Sequence, residues 1–99
     1  MVRIFAKIHS NAEVTILACC DRELTGKELK RGKVKVKISE GFYKGEAIEE
    51  KELAQLLEEF ENINLVGKKA VSVALKKGIA DEKSIIKLGK VPHVQIFKI

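Results

Sequence analysis

Apolar and polar positions alternate from Val2 to Ile8, with Val2, Ile4, Ala6 and Ile8 set against Arg3, Phe5 and Lys7. A period of two is the mark of a strand with one buried face. His9-Ser10-Asn11-Ala12 is turn chemistry. Glu13 to Cys20 then runs β-branched and apolar without alternation, as in a strand buried on both faces, and the two strands form an antiparallel hairpin. Asp21 is placed to cap a short turn, and Gly26 lets the chain reverse. Lys33 to Ser39 alternates strictly, Val34, Val36 and Ile38 against Lys33, Lys35 and Lys37, which predicts a half-buried strand carrying a lysine row.

The pattern then changes to helical. Ile48, Leu53, Leu56, Leu57 and Phe60 make one stripe, with Glu49, Glu50 and Glu52 in the first turn, where the helix dipole favours acids. Asn62 to Gly78 is the stretch around which the rest is organised. Val66, Ala70, Val71, Val73 and Ala74 fall near helical spacing, so one face is small and apolar. Asn64 is placed as its N-cap, Gly67 lies in its first turn, and Gly78 after Lys76-Lys77 is a left-handed terminator. Ser84 to Leu88 is a short apolar strand. From Val91 on, Val94 and Ile96 alternate against His93, Gln95 and Phe97, with Pro92 at the strand start because it lacks an amide donor.

The expected fold is therefore α+β, a single domain over residues 1–99. A mainly antiparallel sheet of about five strands (near 2–8, 13–20, 33–39, 84–88 and 93–98) carries two principal helices (near 47–60 and 66–77) on one face. Leu53, Leu56, Leu57, Phe60, Val71 and Ala74 should be buried, with Val34, Val36 and Ile38 below them.

Composition narrows the function classes. No run approaches the ~20 apolar residues of a membrane span, and Arg3, Lys7 and His9 interrupt any signal-peptide pattern. The two cysteines make no disulfide framework, so a reducing cytoplasm is expected. A third of the residues are charged, rich in Lys and Glu, as in heat-adapted proteins. The net charge of +5 is distributed unevenly. Residues 22–37 carry seven basic and two acidic groups, 44–61 two and seven, and 68–98 eight and two. Basic blocks of this kind favour an anionic partner.

Four short stretches together resemble a known family. They are Ala18-Cys19-Cys20-Asp21-Arg22-Glu23-Leu24-Thr25-Gly26, Phe42-Tyr43-Lys44-Gly45-Glu46, Asn64-Leu65-Val66-Gly67 and Val91-Pro92-His93-Val94-Gln95. In order and spacing they are similar to an archaeal family of small proteins, domain of unknown function 424. The resemblance covers nearly the whole chain and implies an archaeal cytoplasmic protein with a compact α+β fold. It implies no activity. Lys68 stands where the family is typically acidic, and Val94 where it typically has a small residue.

Candidate chemistry is sparse. Adjacent Cys19 and Cys20 point to opposite faces of a strand and lack zinc-site spacing, and adding His9 and His93 creates no ligand pattern. No metal or cofactor is expected, and no catalytic motif is present. The lysine row of Lys33, Lys35 and Lys37 is either a protected sheet edge or a phosphate-contacting surface. In Gly41-Phe42-Tyr43-Lys44-Gly45, Phe42 is expected to plug the core and Tyr43 to point outward, free to stack on a base. Asp21, Gly26, Asn64, Gly67 and His93 all fall at element ends, where they could line one pocket beside a helix N-terminus. Three function classes follow: a basic module for RNA or a ribonucleoprotein, as in translation; a small enzyme using His93 and Asp21; and a protein-interaction subunit using the acidic face of helix 47–60.

Overall fold

Residues 3–98 are described by a computed structural model of the chain. Val2, at the start of the first predicted strand, lies outside them. Among the described residues the elements are β1 (Ile4–Ser10), β2 (Thr15–Asp21), β3 (Glu28–Arg31), β4 (Val34–Lys37), α1 (Glu40–Tyr43), β5 (Glu46–Ile48), α2 (Glu50–Glu59), β6 (Asn62–Val66), α3 (Lys68–Lys76), β7 (Ile86–Leu88) and β8 (Val91–Phe97). Single 3₁₀ turns occupy Arg22–Leu24 and Glu82–Ser84.

The principal sheet has six strands in the order β5-β1-β2-β6-β8-β7. Its β2–β6 pair is parallel and the other pairs are antiparallel. The sheet is thus larger than the five mainly antiparallel strands expected, and it is mixed. Two strands make the difference: β5, formed by Glu46 to Ile48 where a helix beginning near 47 is expected, and β6. The helical pattern takes in the residues Asn62 to Leu65 as its entry, but Ile63 and Leu65 alternate against Asn62 and Asn64 and fill the centre of the sheet. Asn64 accordingly is a strand residue, and the N-cap position of α3 falls to Gly67.

The second difference concerns β4. It pairs only with β3, in a separate hairpin turned by Gly32-Lys33. Lys33 lies in that turn, outside the strand. Ile38 is buried and Val36 half-buried, but Val34 is 61% exposed, because it stands at the turn end of the hairpin opposite exposed Arg31.

The helices α2 and α3 cover one face of the principal sheet, as the apolar stripes require. Leu53, Leu57, Ala70, Val71, Val73 and Ala74 pack with Ile4, Leu17, Cys19, Ile63, Leu65, Val94 and Ile96, and Leu56 and Phe60 are half-buried beside them. Helix α2 opens on a capping box between Glu49 and Glu52. Gly78, at φ 72°, ends α3, with the Gly78 and Ile79 amides donating back to Leu75 and Ala74. Strand β2 is buried on both faces, as its unbroken apolar run requires: Leu17 and Cys19 belong to the helix-side core, and Ala18 and Cys20 to a second cluster on the opposite face. That second cluster, completed by Ile38, Tyr43 and Val66, lies under the β3–β4 hairpin and α1, which cover part of the sheet's other face. No helix among the described residues is long and apolar enough to cross a membrane.

Candidate functional site

The five residues expected to share a pocket do not converge. Asp21 ends β2 on the helix side and is 3% exposed. Its Oδ2 accepts from the Lys69 amide at 3.0 Å and its Oδ1 from the Ala70 amide at 2.9 Å. Asp21 therefore caps α3 from a distant strand. Gly67 sits directly against it: a Cβ there would fall 2.2 Å from Asp21 Cγ. A cavity of about 270 Å³ borders this junction, lined by Asp21, Glu23, Leu24, Lys68, Lys69 and Val91. The helix end behind it is already occupied by a carboxylate, and Lys69 Nζ is paired with Glu23 at 2.8 Å. An anion has no vacant amide pair to bind. Burial pushes the Asp21 carboxyl above its usual range, against the lowering effect of the two amides.

His93 lies on the opposite face of the sheet, beside Val66 in register. The His93/Asp21 acid–base pair is thus separated by the sheet itself. Gly26, at φ 84°, turns the chain into β3 near Glu40, apart from both. Burial raises the Cys19 thiol to about 12 and also raises that of Cys20, so both are protonated at neutral pH and neither is an activated nucleophile.

What the fold does bring together is Tyr43, Asn64 and His93. Asn64 Oδ1 accepts from Tyr43 OH at 2.7 Å and meets His93 Nε2 at 3.2 Å. Tyr43 is 7% exposed, which reverses the expected orientation of the aromatic pair. Its ring fills the second cluster with Ala18, Cys20, Ile38 and Val66. It is Phe42 that remains half-exposed, stacked on His9 at 4.6 Å and 14°. The reason is the short α1 helix, where the sequence pattern predicts a loop. It turns successive side chains by about a third of a circle instead of half, and it is fastened to β1 by Lys7 Nζ to the Gly41 carbonyl and His9 Nε2 to the Phe42 carbonyl, both at 2.8 Å. Burial raises the Tyr43 hydroxyl to about 12, so it stays a donor to Asn64. Burial also lowers the His93 imidazole, which keeps it neutral at pH 7.

Beyond this trio the same sheet face is open. The β6–β8 register places Asn62 beside Phe97, Asn64 beside Gln95 and Val66 beside His93. The covered half ends near Val66, and Gln95 and Phe97 are exposed, Phe97 by 77%. Asn62, Gln95 and Phe97 were not singled out from sequence, although Gln95 and Phe97 already stood on the polar side of the β8 alternation. On the hairpin above, Lys35 and Lys37 share the outer side with Glu28 and Lys30. Lys35 reaches Glu28 at 3.9 Å in an exposed pair, which contributes at most about 1 kcal/mol. Among the described residues, no group of three or more His, Cys, Asp or Glu side chains is placed to hold a metal ion.

The family model described as protein of unknown function DUF424 matches residues 8–99. The chain belongs to the DUF424 family. This one match spans every candidate residue discussed above. A crystal structure of an uncharacterized conserved protein from Methanopyrus kandleri is 37% identical, with a TM-score of 0.79 over 98% of this chain and 94% of that one. No curated protein matches the chain. Family membership and the archaeal relative accord with the four motifs quoted from the sequence. All four supply parts of the two junctions just described: Asp21 with Gly67, and Tyr43, Asn64 and His93.

Proposed function

We propose that this protein binds single-stranded RNA across the open half of its principal sheet. The observation that carries this is Phe97, 77% exposed at the end of β8, beyond the reach of β7 and flanked by Asn62 and Gln95. A ring exposed to this extent contributes little to the core, and a flat ring is a stacking platform for a base. The charge distribution agrees. The basic hairpin lies on this side of the sheet, while the acidic residues Glu50, Glu58 and Glu59 are exposed on α2, on the other side. The stacking role expected of Tyr43 passes to Phe97 and Phe42, because Tyr43 is buried. In this reading Lys33, Lys35 and Lys37 contact phosphates.

Two variants separate stacking from charge. Phe97→Ala should weaken binding of a single-stranded oligonucleotide by about 1–3 kcal/mol with little change in salt dependence. Replacing Lys33, Lys35 and Lys37 by Gln should instead flatten the logarithmic salt slope by about two units, at roughly 0.7 per phosphate contact. Fluorescence anisotropy across a salt series measures both. If the wild-type protein binds no RNA at low salt, the proposal fails, and the acidic face of α2 becomes the surface to test against protein partners.

A further inference from the structure

Asn64 is an unusual residue for its place. Asn is depleted in strands, and this one sits on β6, inside the six-stranded sheet, at the border between the covered and the open half. Its carbonyl oxygen is fully engaged by Tyr43 OH and His93 Nε2. Tyr43 OH donates to this oxygen, and His93 in its Nε2–H tautomer donates to it as well, which holds the amide in one orientation. Its nitrogen Nδ2 makes no hydrogen bond to any described residue. Among the described residues no buried side-chain nitrogen or oxygen lacks a partner, so Nδ2 is open to solvent. The outcome is a fixed N–H donor on the open face, next in register to Gln95.

We infer that Asn64 is a base-reading residue that selects a base with a carbonyl at the pyrimidine 4-position or purine 6-position, uracil or guanine, over cytosine or adenine, which carry an amino group there. This rests on the single-stranded RNA proposal above. The usual Asn pairing with adenine needs the amide oxygen as acceptor and the nitrogen as donor together. Here the oxygen is taken, so only donation remains. A carbonyl at the pyrimidine 4-position accepts that donor, whereas the amino group of cytosine sets donor against donor. The surroundings are carboxamides and aromatic rings, so the preference should be independent of salt, unlike the lysine contribution.

Uracil and cytosine oligomers of equal length give the cleanest contrast, since both are pyrimidines that differ at the 4-position. The wild-type protein should bind oligo-U about fivefold or more tightly than oligo-C, the ratio expected for about 1 kcal/mol from one hydrogen bond. An oligomer of 2-pyrimidinone, which lacks the 4-oxygen, should lose that advantage on the unaltered protein. Asn64→Asp retains an acceptor for Tyr43 and His93 and replaces the outward donor by an acceptor. Its added charge weakens both oligomers, so the U-to-C ratio is the readout, and that ratio should fall to one or below. Equal binding of U and C by the wild type, or an unchanged ratio in Asn64→Asp, overturns the assignment while leaving RNA binding in place. Absence of binding to every oligomer at low salt overturns both. If Asn64→Asp does not fold, the 2-pyrimidinone contrast decides alone.

Discussion

Gly67→Ala should destabilise the fold by about 3–5 kcal/mol, seen as a large fall in the urea midpoint with little change in slope. Two costs add. Gly67 has φ 111° and ψ 153°, a region open in practice only to glycine, which costs another residue about 1–3 kcal/mol. A Cβ would also fall 2.2–2.6 Å from the Asp21 carboxylate, and that carboxylate is held in place by two amides of α3. Relief requires either moving the strand away from the helix or breaking the cap. Asp21→Ala alone should cost about 2–3 kcal/mol, from the lost cap and two buried amides left without an acceptor. The double variant separates the two contributions. If the clash is the larger part, Asp21→Ala with Gly67→Ala is clearly less destabilised than the sum, because removing the carboxylate frees the space while the backbone strain remains. Strict additivity would mean that the two residues do not act as one junction.

Leu57→Ala is expected to cost about 2–5 kcal/mol, the range for a fully buried leucine whose cavity cannot collapse. Leu57 is 0% exposed, and it faces the helix-side core together with Leu53. Helix α2 is also held on this core by Leu53, Leu56 and Phe60, and its Leu57 carbonyl accepts from Lys98 Nζ. Its outer face is charged, and its exposed pair, Glu58 with Lys77, ties it only to the equally peripheral end of α3. Loss of Leu57 thus removes one of the two fully buried anchors of the helix, Leu53 being the other. Leu56→Ala on the neighbouring position is half-buried and should cost markedly less. A chemical-denaturation comparison of the two checks the direction of the stripe, and equal midpoints would contradict it.

Much of the scaffold was legible because its signals are local. The β2 run of apolar residues announced a strand buried on both faces, and the α2 and α3 stripes announced which sides meet the sheet. Strand β6 is hidden because the alternation of Asn62 to Val66 is separated only by Gly67 from a helical pattern, whose longer period masks it. The Asn-Ile-Asn-Leu alternation was the available signal. The two junctions were out of reach for another reason. Asp21 meets Lys69 and Ala70 across 48 and 49 residues, and Tyr43 meets Asn64 across 21. No pattern along the chain encodes such pairings before the strand order is known. That order also separates Asp21 from His93: both were correctly placed near element ends, but a strand end has two faces, and sequence position does not choose between them. Phe42 and Tyr43 exchanged roles for a similar reason, since one turn of helix replaced the extended loop on which their expected directions rested.

The most direct test of the RNA proposal is to follow backbone amide chemical shifts of the full chain while a single-stranded uridine-rich RNA is titrated in at low salt. The expected changes concentrate on β6 and β8 around Asn62, Asn64, Gln95 and Phe97, extend to Phe42 and the β3–β4 hairpin, and spare the exposed side of α2. Changes confined to α2, or no changes at all, would contradict it.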